Sequence, residues 1–433
     1  RPPRATRVPY TTLVRSNYLS SIILPASISG VAIPVFKHLL GAEGYGKFSI
    51  WLNAILIITA ILSGWISQSI IRFFPASSDK YSFSKNAIAL SVFTQFIFFI
   101  PVLIGVWCFS HDIWLSILCS LVLLATSIQF TILPIIQSSF LSKKIISSET
   151  MRMFAYLACS VFLLKFSGIS YMYSLFIAAF ASYSISLIYL IIQAEKFFKA
   201  QNAIKKNINE PLHLFKSFFD YGAPLSLWFV FAYLLSYIDK LFMFKYMGAE
   251  VQGNYQAIFD LLFRGITLII SPIVTSLFPI LTSAYVRGDN TEIRKLMKKI
   301  IGYELSGFLA ASILYWWFGS RLLIFLLKIP DTSTFRLMGF IVICGTFIWQ
   351  IAILAQKRFE LKQKTFFLLG MVFIAFLTQL LFYIIFKNYK NPLVYPLGFL
   401  LSAFIYLVLI STSELLTISK SLKQKSKYWN SKF

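Results

Sequence analysis

Four ionisable residues stand inside long apolar stretches of the sequence, and they form two close pairs. Asp239 and Lys240 are adjacent, so in a helix their side chains point about 100° apart. Asp260 and Arg264 are four residues apart with the acid first, the spacing at which two side chains share a helix face and can form an ion pair. A charge inside the membrane is costly and usually points to a partner or a polar cavity. We therefore interpret these four residues as candidates for holding a polar substrate.

A second polar feature lies in an earlier apolar stretch. Asn53, Gly64, Gln68 and Arg72 follow one another at intervals of eleven, four and four residues, which places them along one stripe of a helix. We expect Asn53, Gln68 and Arg72 to lie across from the two ionisable pairs and to line, with them, a central water-filled cavity of net positive sign.

Each of these residues also has a purely structural interpretation. Asp239 lies six residues from the outer end of its stretch, where it and Lys240 could reach the membrane interface as a pair. Asp260 and Arg264 could join two helices, and Arg72 could be a charge that orients the protein in the membrane. The structural interpretation is favoured for two other intramembrane charges near the ends of their stretches: Glu304 and Lys165.

The composition indicates that these residues are surrounded by lipid. Apolar residues make up 58% of the chain, aromatic residues 18% and charged residues only 13%, which leaves too little polar surface for a soluble protein of this size. Apolar runs of roughly 20 residues, enough to cross about 30 Å of hydrocarbon as a helix, recur along the chain. Because these runs are continuously apolar, they predict helices and not the alternating strands of a barrel. We place twelve spans at 17–40, 47–72, 84–109, 113–139, 150–168, 170–194, 218–245, 256–284, 301–320, 336–356, 365–387 and 392–416.

The net charge of +24 is distributed unevenly between the two sides of these spans. On the predicted topology, 29 of the 40 Lys and Arg residues lie on one side, which is therefore cytoplasmic by the positive-inside rule. Both termini are then cytoplasmic, as an even number of spans requires. The basic clusters indicate topology and contact with anionic membrane lipids, and we expect no nucleic-acid partner.

The sequence contains an internal repeat. Gly41-Ala42-Glu43 recurs as Gly248-Ala249-Glu250, 207 residues later. The residues that follow the two motifs are also similar at this same offset of 207 residues. Gly41 and Gly248 can end one helix, and Glu43 and Glu250 can cap the next. At the same offset Asp260 corresponds to a polar residue, Asn53, whereas the positions equivalent to Arg264 and Asp239 are apolar: Ile57 and Ala32.

The repeat divides the chain into two lobes. Six spans in each half enter the membrane from the same side, which predicts an all-α polytopic membrane protein of about twelve transmembrane helices in two pseudo-symmetric six-helix lobes. The predicted lobes cover 17–194 and 218–416, with a basic cytoplasmic linker at 195–217 and a basic cytoplasmic tail at 417–433. Residues 1–16 are interpreted as a non-native or disordered leader outside the fold.

Several short motifs resemble one family of membrane transporters. They are Asp220–Leu225 (DYGAPL), Asp239-Lys240, Gly248–Tyr255 (GAEVQGNY), Phe278-Pro279 and, in the first half, Leu40–Gly46 (LGAEGYG) and Arg72–Pro75 (RFFP). In these motifs the chain resembles the polysaccharide flippases of the MOP superfamily, and most of all the Wzx-type O-antigen flippases. Twelve spans favour this type over the murein-precursor flippases, which have two more.

The resemblance implies a fold and a substrate. It implies a V-shaped pair of helical lobes that moves an undecaprenyl-pyrophosphate-linked oligosaccharide from the inner to the outer leaflet of the bacterial inner membrane by alternating access. Pyrophosphate and sugars need a polar route, because bare ions cost tens of kcal/mol in hydrocarbon. Arg264 suits this substrate best, since a guanidinium binds phosphate oxygens in a fork. We expect no cofactor, leave proton or sodium coupling open, and expect a polysaccharide polymerase as a further partner.

Two alternatives come from other classes of protein. A MATE-like multidrug exporter should line its cavity with carboxylates, because its substrates are cations. A membrane polysaccharide polymerase or glycosyltransferase should carry a large outer loop, whereas every predicted outer loop here is under about twenty residues. The chain contains no phosphate-binding glycine loop and no H-E-x-x-H motif, so we predict that it is not an enzyme.

Overall fold

The computed structural model describes residues 13–77, 79–139, 141–200, 211–362 and 364–430. Regular structure in these ranges is helical, apart from turns. A 3-10 turn, Phe74–Ala76, follows the first helix, and a π turn, Tyr315–Gly319, follows α9. The helices are α1 (Leu13–Phe73), α2 (Lys80–Ser110), α3 (Ile113–Ser138), α4 (Ser142–Phe166), α5 (Tyr171–Ala200), α6 (Pro211–Leu235), α7 (Ile238–Met247), α8 (Ala249–Val286), α9 (Asn290–Leu314), α10 (Ser320–Leu327), α11 (Ser333–Leu361), α12 (Thr365–Phe386) and α13 (Val394–Asn430).

The helices account for the predicted membrane spans. Each of the twelve predicted spans falls on one of these helices or, for 218–245 and 301–320, on consecutive helices. Nine stretches of the described chain are long and apolar enough to cross a membrane, and one of them, Gly30–Phe73, includes parts of the first two predicted spans. The prediction of an all-helical polytopic membrane protein is confirmed.

Polar residues set the start of several helices. Asp79, Asp112 and Asp289 each accept a hydrogen bond from the backbone NH three residues later, at distances of 3.0, 3.1 and 2.9 Å. Thr332 does the same at the start of α11. A side-chain oxygen at this position satisfies an NH group that has no partner within the helix, so these residues separate one apolar run from the next.

The repeated glycines break the chain in the same way. Gly41 interrupts α1 with φ 70° and ψ 179°, and Gly248 separates α7 from α8 with φ 89° and ψ 166°. This backbone region is essentially restricted to glycine, because a Cβ would clash there. The structure therefore confirms that both glycines end a helix, and their common geometry supports the internal repeat.

Replacing Gly248 by alanine is expected to lower the stability of the protein by about 1–3 kcal/mol, the cost of holding a Cβ in this conformation. The matched control is Gly370→Ala on α12, where an added Cβ meets no atom within 4 Å and φ is not positive. That variant should be as stable as the parent or slightly more stable, since alanine favours a helix. Thermal unfolding in detergent measures both. Equal unfolding temperatures for the two variants would contradict the prediction.

The described chain forms two compact units that meet in sequence between Val230 and Phe231. Unit 1 precedes this point and unit 2 follows it. In unit 1, α1 and α5 pack on α3, α2 also packs on α3, and α4 packs on α5. Unit 2 has the corresponding contacts between the helices that occupy the equivalent places in the repeat. Helices α8, α9 and α13 pack on α11, and α12 packs on α13.

The division between the units differs from the predicted lobe boundary. Helix α6 begins at Pro211 and contacts α1 along its first turns, so the break between the units falls inside α6 and not at the linker. Helix α5 extends to Ala200, so both ends of the predicted linker 195–217 are helical, while 201–210 lie outside the described residues. Most of the leader, 1–12, also lies outside them. The predicted tail begins as a continuation of α13.

Candidate functional site

Asp239 and Lys240 form a buried ion pair at the start of α7. Their side chains are 0% and 1% exposed, and the Lys240 Nζ lies 3.1 and 3.2 Å from the two carboxylate oxygens of Asp239. The ammonium also donates a hydrogen bond to the Ser236 carbonyl oxygen, which is available because α6 ends at Leu235. In a continuous helix this carbonyl oxygen would accept a hydrogen bond from a backbone NH group. The break between α6 and α7 makes it available to the Lys240 ammonium.

Two aromatic residues of α8 complete the surroundings of this pair. The Tyr255 hydroxyl donates a 2.6 Å hydrogen bond to the Asp239 carboxylate. The Lys240 Nζ lies 3.3 Å from the centre of the Phe259 ring, a cation–π contact. Sequence reasoning missed both partners, although Tyr255 ends the repeated motif and its counterpart, Phe48, lacks the hydroxyl.

Polar groups of α12 and α13 extend the network. Gln379 donates to the Leu235 carbonyl oxygen and to the Tyr383 hydroxyl, each at 3.0 Å. Tyr383 in turn donates to the Tyr395 carbonyl oxygen at 2.8 Å. The second carbonyl exposed at the α6–α7 break is therefore satisfied as well, and the ion pair is enclosed by hydrogen-bonded side chains from several helices of unit 2.

Asp260 and Arg264 form a looser pair on α8. The Arg264 Nη2 lies 3.9 Å from an Asp260 oxygen, too far for a hydrogen bond, and the two side chains are 46% and 14% exposed. The predicted pairing is present, but it lies within one helix and so does not join two helices. Asp260 also interacts electrostatically with Lys240, which connects this exposed pair to the buried one.

The predicted polar stripe lies in the second part of α1, in unit 1. Asn53 and Gln68 are half-buried, and Arg72 is exposed. The Arg72 guanidinium lies 4.3 Å from the centre of the Tyr221 ring on α6, so this charge is stacked on an aromatic face. The C-terminal end of the stripe is therefore in contact with α6.

Glycine and serine allow α1 and α6 to approach closely within unit 1. A Cβ on Gly222 would overlap the Trp65 carbonyl oxygen, and a Cβ on Gly64 would lie 2.6 Å from the Ser226 Oγ. Ser226 donates a 2.7 Å hydrogen bond to the Ala60 carbonyl oxygen on the facing helix. Small residues at a helix contact in lipid favour such close packing, because dispersion and interhelical hydrogen bonds then hold the helices together.

Unit 1 contains a further polar network that sequence reasoning missed. Arg152 pairs with Glu149 at 2.6 Å on α4 and lies 4.7 Å from the Tyr183 ring centre. Gln129 on α3 donates to Glu149 at 2.6 Å and to Ser186 on α5 at 3.0 Å. These groups are mutually bonded across three helices, so we assign them a packing role.

The structure thus sorts the predicted site residues by exposure. Asp239 and Lys240 are enclosed in unit 2, so neither side chain reaches the surface of the protein in this structure. Asp260 is partly covered, and Arg264 presents its guanidinium at the surface of unit 2. Asn53, Gln68 and Arg72 lie in unit 1. That these residues line a common cavity stays a prediction.

A comparison of the sequence with models of known protein families finds a match. The model of the family described as polysaccharide biosynthesis protein matches residues 16–285, more than half of the chain. No curated protein sequence is similar enough to count as a match.

Solved structures with a similar fold are transporters. An inward-facing multidrug resistance MATE family transporter of the MOP superfamily superposes with a TM-score of 0.71 at 13% identity, covering 94% of this chain and 99% of the other. A mutant of the Vibrio cholerae MATE transporter VcmN gives 0.69 at 13% identity, with 95% and 96% covered. A MOP superfamily transporter from Pyrococcus furiosus, whose binding pocket is described as having reverse polarity, gives 0.66 at 12% identity, with 94% and 95% covered. The chain belongs to the polysaccharide biosynthesis protein family and has the fold of the MOP superfamily transporters.

Proposed function

We propose that this protein moves a lipid-linked oligosaccharide, carried on undecaprenyl pyrophosphate, from the inner to the outer leaflet of the bacterial inner membrane by alternating access. The observation that carries the proposal is the exposed guanidinium of Arg264, beside Asp260 in the apolar part of α8, in a protein of the polysaccharide biosynthesis family. The product would serve assembly of O-antigen, capsule or exopolysaccharide, with a polysaccharide polymerase as the next partner.

The chemistry of this substrate explains why an arginine is needed. The polyprenyl tail can remain in lipid, but the pyrophosphate carries negative charge that hydrocarbon does not solvate. A guanidinium stays charged in a poorly hydrated site and offers paired NH groups to two phosphate oxygens. The Arg264 side chain is 46% exposed, so an anion can reach its NH groups.

The main alternative is export of cationic drugs, as in the MATE transporters that share the fold. A cation site needs an accessible carboxylate, whereas in unit 2 Asp239 is fully buried and bonded to Lys240 and Tyr255. Among the four residues of the two pairs, the most accessible side chain is the cation Arg264, at 46% exposed against 14% for Asp260. The reverse polarity described for the Pyrococcus furiosus pocket supports the idea that this fold also serves other substrates. We therefore favour the anionic substrate, and transport over catalysis.

The test is replacement of Arg264 by alanine in cells that lack any other flippase for the same polysaccharide. Loss of a charge-assisted hydrogen bond costs about 1.5–3 kcal/mol, so we expect surface polysaccharide to fall about tenfold or more. Arg264→Lys keeps the charge but loses the fork, and should restore part of the activity. The control is Arg287→Ala in the turn that follows this helix, where the arginine pairs with Glu292 and is 56% exposed.

Surface polysaccharide and protein level must be measured together. Full polysaccharide with Arg264→Ala would show that Arg264 does not hold the substrate. A fall in protein level that matches the fall in polysaccharide would indicate that Arg264 stabilises the protein and does not hold the substrate. Unchanged polysaccharide in the Arg287→Ala control is expected, because that ion pair is exposed and lies outside the apolar part of α8.

A further inference from the structure

Glu304 is the acidic member of a buried helix face. The buried residues of α9 are Ile293, Met297, Ile300 and Glu304, at intervals of four, three and four, so they form one stripe. The residues on either side, Tyr303 and Leu305, are 58% and 48% exposed, whereas Glu304 is 5% exposed. The carboxyl group therefore points into unit 2 and not to the lipid.

The carboxyl group has no hydrogen-bond partner. Both Oε1 and Oε2 of Glu304 are buried, and neither is bonded to any group in the part of the chain that the structure describes. An ionised carboxylate without a partner in such a place costs several kcal/mol, so the group must either carry a proton or meet a cation. A well-packed structural glutamate would show at least one bond.

The register of α9 against α11 shows which polar groups lie at the same level. Arg358 contacts Met297, and Phe347 lies against Gly307, so the two helices are antiparallel. Two residues at the same height along the helices therefore have numbers that add up to about 654. Glu304 is thus level with Gln350, which is 5% exposed and donates a 3.0 Å hydrogen bond to Thr267 on α8. A mutually bonded amide and hydroxyl therefore lie at the level of the carboxyl group.

We propose that Glu304 is the proton-binding site through which this transporter is driven. The carboxylic acid holds its proton in the conformation described here, and it releases the proton to water when the lobes rearrange and the carboxyl group becomes accessible, leaving a carboxylate that is protonated again in the next cycle. Lys299 on the same helix lies five residues earlier, about 7.5 Å along the axis, so the site is close to the basic side of the membrane. The inference rests on the proposed transport function.

Among the described residues of the neighbouring elements, no basic group forms a hydrogen bond with Glu304. The nearest basic groups on α11 in the register are Lys357 and Arg358, about 10 and 12 Å along the axis from the level of Gln350. Lys357 pairs with Glu360, and Arg358 is bonded to Met297. The Tyr315 hydroxyl, in the π turn, donates to the Arg336 carbonyl oxygen. On α8 the nearest charged pair in sequence to Thr267 is Asp260 with Arg264. The other titratable groups on α8, α9 and α11 and in the turn after α8 lie nearer the helix ends or outside this face: Glu250, Tyr255, Tyr285, Arg287, Glu292, Arg294, Lys295, Lys298, Lys299, Tyr303, Arg336 and Cys344.

A proton fits this site better than a metal ion. A metal cation is held by several oxygen ligands, and among the described residues no group of three or more acidic, histidine or cysteine side chains could hold one. Gln350 and Thr267 are already bonded to each other, so Glu304 supplies a single carboxyl group. One buried carboxyl group is sufficient to bind one proton.

The first test is infrared spectroscopy of the full chain in lipid nanodiscs at pH 7. A protonated carboxyl group has a carbonyl band separate from those of carboxylates, and we expect such a band in the wild type that is missing from Glu304→Gln. The control is Glu292→Gln on the same helix, where the glutamate is 38% exposed and paired with Arg287. That variant should keep the band. A wild-type spectrum without any band assignable to Glu304 would overturn the proposal.

The second test separates coupling from transport. The probe is undecaprenyl pyrophosphate carrying a fluorescent oligosaccharide, in liposomes containing the protein. In Glu304→Gln we expect movement driven by an imposed pH gradient to fall about tenfold or more, while movement down the probe's own gradient changes less than about twofold. Gradient-driven movement that persists in Glu304→Gln, or that requires sodium instead, would overturn the proposal. A wild-type protein that moves no probe at all would contradict the proposed function itself.

Discussion

Replacing Lys240 by methionine is expected to destabilise the protein by about 3–5 kcal/mol, because Asp239 would be left buried without its counter-charge. Methionine is close to lysine in length and should still fill the space against Phe259. The alternative for Asp239 is to bind a proton, which costs an ordinary aspartate about 4 kcal/mol at pH 7. Thermal unfolding in detergent, compared with the parent protein, measures the loss.

Two variants make this prediction specific. Lys245→Met, in the last turn of the same helix, removes an exposed charge and should change stability by less than about 0.5 kcal/mol. The double variant Asp239→Asn with Lys240→Met removes both charges but keeps an acceptor for the Tyr255 hydroxyl, so it should be more stable than Lys240→Met alone. An unfolding temperature for Lys240→Met equal to that of the parent would mean that the buried pair does not stabilise the fold.

Replacing Gly222 by alanine is expected to force α6 away from α1 and to cost about 1–3 kcal/mol or more. The added Cβ would overlap the Trp65 carbonyl oxygen, which belongs to the backbone of α1 and cannot turn aside. Separation of the helices would also break the 2.8 Å hydrogen bond from Ser69 to the Phe218 carbonyl oxygen. The expected results are a lower unfolding temperature and less folded protein in the membrane.

The matched control is Gly105→Ala on α2, a glycine inside another helix where an added Cβ meets no atom within 4 Å. This variant should be at least as stable as the parent, since alanine is the better helix former. If Gly222→Ala and Gly105→Ala unfold at the same temperature, the close approach of α1 and α6 is not part of the stable fold.

The sequence by itself determined the features that depend on local chemistry. The length of an apolar run decides whether a helix can cross the membrane, so the predicted spans fall on helices without any knowledge of their neighbours. The break at Gly41 and Gly248 was also predictable, because only glycine adopts that backbone conformation at low cost and the motif occurs twice. The i,i+4 pair of Asp260 and Arg264 is likewise set by the helix alone.

The packing of the helices determines which intramembrane charges are enclosed and which are exposed. Asp239 and Lys240 are adjacent in sequence, yet their burial depends on Tyr255 and Phe259 from the next helix. In the sequence, Glu304 has the position of a charge at the end of a span. Only the packing of α9 in unit 2 shows that its carboxyl group is buried without a hydrogen-bond partner among the described residues. The physical reason is that the cost of a charge in the membrane is set by the groups around it, and those groups are distant in sequence and brought together by helix packing.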